Sequence, residues 1–265
     1  MPRSLGSVSG SSARPPRHAA EFRRRLLRWF RRHGRDLPWR RTRDPYRVLV
    51  SEFMLQQTPV SRVEAYYHRF LEQYPTVEAL AGSEPAMVRE SWAGLGYYRR
   101  AANLHRLART VMEEHAGVIP EDPSVLVRLP GVGRYTAGAI ASFAYERATP
   151  AIDTNVARVI RRAFHPRLRG GGAERRLWQT GAAIIPRRHG RPAWAFNQAI
   201  MELGALVCTA REAKCGECPV RGVCATGRKV GKTERTERTE RTEKGRVRSA
   251  GALQAKRAVS SRGSA

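Results

Sequence analysis

From Ala20 onward the apolar residues recur at helical spacing and almost never alternate. Val63, Tyr66, Tyr67, Phe70, Leu71 and Tyr74 fall at i, i+3, i+4, i+7, i+8 and i+11, and Leu104, Leu107, Ala108, Val111 and Met112 repeat the pattern. Such stripes cover one face of a helix and need a partner to bury them, so the chain is predicted to be all-α, with about ten helices. The helix starts carry chemical marks. Asp44 before Pro45, Asp122 before Pro123, and Ser83 before Glu84 each read as an N-cap and first turn. A chain of 265 residues can bury a sizeable core as one large or two small domains without disulfide support.

The flanks have a different composition. Residues 1–20 hold three arginines and no acid, and they read as a disordered basic arm in preference to an organellar transit peptide. Beyond Gly227 the chain repeats Thr-Glu-Arg three times from Thr233, adds Thr242-Glu243-Lys244, and continues with too few apolar residues for a core. Residues 228–265 are therefore predicted to be a disordered basic tail, with the globular part, 21–227, closing just after Cys224. That part still holds 34 basic against 19 acidic residues, a balance of +15 within the +26 of the whole chain. A polyanion is the expected partner. No run approaches the roughly 18 apolar residues of a membrane span, and the first residues lack the apolar core of a secretory signal.

All four cysteines fall in one 17-residue window: Cys208, Cys215, Cys218 and Cys224. Clustering of the whole complement argues for a metal centre over disulfides. Four thiolates suit either tetrahedral zinc or a [4Fe-4S] cluster, and spacing alone does not choose between them.

Leu129-Pro130-Gly131-Val132-Gly133-Arg134-Tyr135-Thr136 lies between two helical stretches. The glycines allow a tight turn and close backbone approach, and the helix that follows offers unpaired N–H groups, so the segment can cradle a phosphate. A lone Gly-x-Gly also serves as a plain helix–helix turn. The surrounding positive charge favours the nucleic-acid reading.

Two acids stand out. Glu52 has Val48, Leu49 and Leu55 as helical neighbours, surroundings that desolvate a carboxyl and raise its pKa; the competing reading is a surface Glu on a helix edge. Asp153 precedes Thr154-Asn155-Val156-Ala157-Arg158-Val159 and reads as a helix N-cap. A capping carboxylate can also stabilise a developing cation nearby.

Together these segments resemble the helix-hairpin-helix DNA glycosylases with an iron–sulfur cluster, and within them the adenine DNA glycosylases of the MutY type. The resemblance runs from Leu37 to Cys224, through Leu37-Pro38-Trp39-Arg40, Ser51 to Thr58, Gly94-Leu95-Gly96-Tyr97-Tyr98, Leu129 to Thr136, Asp153-Thr154-Asn155-Val156 and the cysteine loop. It implies two helical lobes: a six-helix barrel over about 45–150, and a cluster lobe from 21–44 and 151–227, with double-stranded DNA across the cleft between them. It implies Glu52 as general acid, Asp153 as the carboxylate facing the sugar and Asn155 as its polar helper. Gln57 and Tyr97 correspond to residues that wedge into the duplex, and Trp39, Arg40 and Glu202 to the lining of the adenine pocket. The hairpin residues Gly131, Val132 and Gly133 would contact the DNA backbone, and Cys208, Cys215, Cys218 and Cys224 would hold a [4Fe-4S] cluster. A monomer in the cytoplasm, associated with the nucleoid through DNA carrying mismatched or oxidised base pairs, is the implied setting.

Two departures qualify the resemblance. Where relatives of the endonuclease III type hold a lysine that forms a Schiff base, this chain has Tyr135, so base hydrolysis without strand cleavage is expected. Members of the MutY type usually continue past the cysteine loop into a domain that reads 8-oxoguanine, and a basic tail of about 40 residues is too short and polar for one. A smaller preference for 8-oxoguanine over guanine is expected from this. The alternatives are a thymine-removing mismatch glycosylase of the same superfamily, and a catalytically silent iron–sulfur protein that binds DNA; the presence of both Glu52 and Asp153 speaks against the latter.

Overall fold

The computed structural model describes residues 14–230, and their regular elements are all helical, with one isolated antiparallel bridge between Cys208 and Ala213. In chain order the helices are α1 (Ala19–His33), α2 (Pro45–Leu55), α3 (Val60–Gln73), α4 (Val77–Ala81), α5 (Pro85–Ser91), α6 (Arg99–His115), α7 (Pro123–Leu126), α8 (Arg134–Phe143), α9 (Thr154–Phe164), α10 (Ala173–Ile184) and α11 (Arg191–Leu206). Short 3-10 turns cover Pro38–Arg40 and Arg221–Val223. None of the described helices is long and apolar enough to cross a membrane.

Local chemistry accounts for most starts. Asp44 Oδ1 accepts the N–H groups of Tyr46 and Arg47 at 2.8 and 3.1 Å, and Pro45 needs no donor at the first position of α2. Asp122 accepts from the Ser124 N–H at 2.8 Å ahead of α7. The expected cap at Ser83 does not form. Pro85 opens α5, so Glu84 takes the cap position without a side-chain bond, and the Ser83 hydroxyl donates backward to the Ala79 carbonyl of α4 at 2.6 Å.

The apolar stripes of α3 and α6 are buried as their spacing predicts, in a first core with α2, α4 and α5 that also takes in Leu129 and Val132 of the hairpin segment. A second core joins Phe22 and Leu26 of α1 to α9, α10, α11 and the cysteine loop. α8 connects them: Ala137, Ile140 and Ala141 face the first core, whereas Ala139 and Phe143 pack with Val48, Ala151 and Trp194 in a small third cluster. A cleft opens beside this junction.

Three boundaries differ from the sequence expectation. α1 begins at Ala19, which is buried, inside the segment read as an arm. Leu37 and Trp39 pack on the first core instead of staying with α1. Helical backbone also resumes at 225 and continues to 230, beyond the expected close at Cys224. It is tied down by the Thr226 hydroxyl donating to the Arg162 carbonyl at 2.8 Å. The rest of the arm, 1–13, and of the tail, 231–265, lies outside the described residues.

Candidate active site

A cleft of about 1030 Å³ opens between the end of α2, the starts of α8 and α9, and α10 and α11. Glu52, near the C-terminal end of α2, lines it and is 5% exposed. Burial raises its pKa to about 7; the Tyr135 hydroxyl pulls it back part of the way by hydrogen bonding, and the nearby Asp153 charge adds to the rise. Oε2 is buried with no hydrogen-bond partner. The surface reading of Glu52 is thus set aside: it is a carboxyl that holds its proton near neutral pH.

Asp153 caps α9. Its Oδ1 accepts from the Val156 N–H at 2.7 Å and its Oδ2 from Asn155 Nδ2 at 2.8 Å, which fixes the carboxylate toward the cleft at the positive end of the helix dipole. Asn155 is held in turn by Arg158 Nη2, which donates to its Oδ1 at 2.7 Å and to the Gly204 carbonyl at 2.8 Å, while Nε donates to the Cys208 carbonyl at 2.7 Å. One helix therefore links Asp153 to the cysteine loop through Asn155 and Arg158.

Trp39, Arg40 and Glu202 also line the cleft. Trp39 is buried edge-on against Tyr67. Glu202 is fully buried: burial by itself would push its pKa up, but hydrogen bonds from Arg35 and Arg40 overcome this and hold it at about 2. Arg35 gives it a backbone N–H at 3.0 Å and two guanidinium bonds at 2.7 and 3.0 Å, and Arg40 adds one at 2.7 Å. Arg40 also donates to Gln198 Oε1 and to the Arg35 carbonyl. These two pocket residues are therefore occupied with tying α11 to the 35–40 segment. Arg35 and Gln198 complete the wall, and nothing in their local sequence marks them.

Gln57 reaches the cleft on the turn after α2, with φ 57°. Tyr97 does not line it; it stands 61% exposed on a neighbouring turn, with φ 49°. The hairpin is separate too. Gly131 needs its left-handed φ of 77°, and a Cβ there would lie 2.7 Å from the Asn103 Cβ. Val132 is buried in the first core. Gly133 occupies the N-cap of α8 with no side-chain cap, and a Cβ there would meet nothing within 4 Å. The first N–H groups of α8 thus receive no side-chain cap and follow an open position, which suits an approaching anion.

The four cysteines form no disulfide and line one pocket, walled by Val159, Ala163, Leu203, Val207 and Val220. Arg162 Nη1 donates toward Cys208 Sγ at 3.4 Å, and the Gly227 N–H toward Cys224 Sγ at 3.3 Å. Among the described residues no three His, Cys, Asp or Glu side chains close on a single-ion position. Four sulfurs around an apolar pocket with N–H donors at two of them fit a polynuclear thiolate centre in donor chemistry.

Residues 50–179 match the HhH-GPD superfamily of base excision DNA repair proteins. An adenine DNA glycosylase of Mycobacterium tuberculosis (strain ATCC 25618 / H37Rv) is 46% identical over 207 residues, covering 77% of this chain and 67% of that protein. The chain belongs to the HhH-GPD superfamily. Human adenine DNA glycosylase is 44% identical over 226 residues, covering 79% of this chain but 40% of its own length. This HhH-GPD chain thus spans about two thirds of the mycobacterial relative and about two fifths of the human one. Among solved structures, a thermostable thymine-DNA glycosylase superposes with TM-score 0.72 at 29% identity, covering 80% of this chain and 97% of that one. An endonuclease III–DNA complex at 24% identity and TM-score 0.67 shares the fold. Glu52, the hairpin, Tyr135, Asp153 and Asn155 all fall within the matched HhH-GPD segment, and the cysteine loop follows it.

Proposed function

We propose that this HhH-GPD protein is a monofunctional adenine DNA glycosylase, hydrolysing the N-glycosidic bond of adenine opposite guanine or 8-oxoguanine in double-stranded DNA. The observation that carries the reading is Glu52, a buried carboxyl that holds a proton up to about pH 7 and has one oxygen without a partner, in the same cleft as a capping Asp153. Adenine leaves poorly as an anion, and a protonated ring nitrogen makes it a good leaving group. Glu52 supplies that proton. The sugar left behind carries positive charge, and Asp153, oriented by Val156 N–H and Asn155, stabilises it from the α9 terminus. Water completes the hydrolysis. Tyr135 offers no amine for an imine, so the strand stays intact.

The base must leave the stack to reach this cleft. Gln57 and Tyr97, on exposed turns, act as the wedge, and Trp39 with the Arg35–Glu202–Arg40 wall receives the base. The first turn of α8 beyond Gly133 takes a backbone phosphate. Cys208, Cys215, Cys218 and Cys224 hold a [4Fe-4S] cluster, which when bound supplies iron–thiolate bonds that pin the loop on α9 and α11. A thymine substrate is the second reading, favoured by the superposition on a thymine-DNA glycosylase. Adenine fits a carboxylic acid donor better, because its imidazole nitrogen is basic whereas thymine offers only weakly basic carbonyl oxygens. The test is Glu52→Gln under single-turnover conditions with an A·G duplex. Excision falls by at least about a hundredfold while duplex binding persists. Normal excision by this variant would remove Glu52 from the mechanism.

A further inference from the structure

Gln57 and Tyr97 both sit in the left-handed region, at φ 57° and 49°, although neither is glycine. Such backbone persists only where the surroundings hold it. The turn of Tyr97 is further bent by Gly94 and Gly96, at φ 92° and 71°. Forty residues separate the two turns in sequence, and one side chain bonds both the end of α2, from which the Gln57 turn departs, and the turn of Tyr97. Arg100, on the first turn of α6, is 6% exposed. Its Nη1 donates to the carbonyls of Phe53 and Met54 at 2.9 and 2.6 Å, and its Nη2 to those of Leu95 and Gly96 at 3.2 and 2.9 Å. The first two carbonyls belong to the last turn of α2, where no further helical N–H is available to them. The other two belong to the turn that presents Tyr97. The guanidinium also lies 5.5 Å from the Trp92 ring centroid and 5.6 Å from that of Tyr97.

A fork of donors on a plane is needed to serve two turns at once; a lysine ammonium is a point donor and cannot span them. A buried cation with no carboxylate among these partners is costly for a fold to keep for stability alone. We propose that Arg100 is a positioning residue for DNA engagement: it fixes the Gln57 turn and the Tyr97 turn at one spacing, so that both side chains meet the duplex together. This rests on the reading of Gln57 and Tyr97 as the wedge. The proposal also gives Phe53 and Met54, directly after Glu52, a mechanical link to the wedge, so that seating of Tyr97 and placement of the acid are coupled through one guanidinium.

The experiment compares wild type, Arg100→Lys, Tyr97→Ser and the double variant by three readouts: single-turnover adenine excision from an A·G duplex, the fluorescence rise of 2-aminopurine placed at the target position, and thermal melting. Displacing a reacting arrangement by about an ångström costs on the order of a hundredfold. Arg100→Lys is expected to lose about that much in excision and most of the fluorescence rise, at temperatures well below its melting point and with saturating protein. In the Tyr97→Ser background the same substitution is expected to cost little more, because the two act as a unit. Wild-type excision with Arg100→Lys, or equal losses in both backgrounds, overturns the proposal. Loss of folding in both Arg100→Lys and Arg100→Gln also overturns it, in favour of a purely structural role. If wild type releases no adenine the proposed function falls by itself, and the 2-aminopurine comparison still decides the role of Arg100.

Discussion

Replacing Glu52 with glutamine should stabilise the fold, and by much more at high pH than at low. The folded protein raises this carboxyl from 4.5 to about 7, chiefly by burial. The unfolded chain therefore releases the proton first as pH rises, and each ionisation in that interval favours unfolding. The deficit is small at pH 5, grows through pH 7, and is complete above it. At about 1.4 kcal/mol per pK unit, the full cost is about 3 kcal/mol. Glutamine has no proton to lose and escapes it. For a domain of this size the gain at pH 8 corresponds to a melting shift of roughly 6–12 °C, against about 2 °C at pH 5. Differential scanning calorimetry of both proteins at the two pH values measures it. A melting difference that does not change with pH, or a variant less stable than wild type at pH 8, would refute the argument that Glu52 is held neutral by burial. The same substitution is expected to lower excision by at least about a hundredfold, the pattern of a site that trades stability for a proton donor.

Other outcomes follow from the same geometry. Single-turnover excision should decline with unit slope above about pH 7 as Glu52 loses its proton; a rate constant that is flat through pH 9 contradicts this. Gly131→Ala should lower the melting temperature, because it places a Cβ 2.7 Å from that of Asn103 at φ 77°, whereas Gly133→Ala should melt as wild type but bind duplex DNA more weakly by fluorescence anisotropy. Protein purified without oxygen should be brown with about four irons per chain, and Cys215→Ser should lower both iron content and soluble yield; a colourless preparation with stoichiometric zinc contradicts the cluster.

The sequence made the helices and the two acids of the cleft legible for a physical reason. Periodic burial leaves a visible stripe, as in α3 and α6, and caps such as Asp44 and Asp153 act within three residues of their own position. The arginines were not legible. Arg35 meets Glu202 across 167 residues, Arg158 reaches Cys208 across 50, and Arg100 reaches Phe53 across 47. An arginine reads as a solvated charge until the fold gives it acceptors. For the same reason Glu202 read as a pocket group, although both its oxygens are spent on Arg35 and Arg40. Ser83 failed as a cap because Pro85 fixed the start of α5 one residue too late for its hydroxyl to serve. From their own surroundings Glu52 and Asp153 were legible as two separate acids; only the resemblance set them at one cleft, which the packing of α2 against α8 and of α9 against α11 forms.

The central claim is the chemistry of one cleft, a neutral acid for the base and a capping carboxylate for the sugar with no amine between them. Its most direct measurement is free-base release from a panel of A·G, A·8-oxoguanine and G·T duplexes, with strand integrity followed on the same samples before and after alkali. The account predicts adenine released from both A-containing duplexes, thymine retained, and strands intact until alkali is added, with binding that weakens steeply as salt rises. Release of thymine from G·T with adenine left in place, or strand cleavage without alkali, would contradict it.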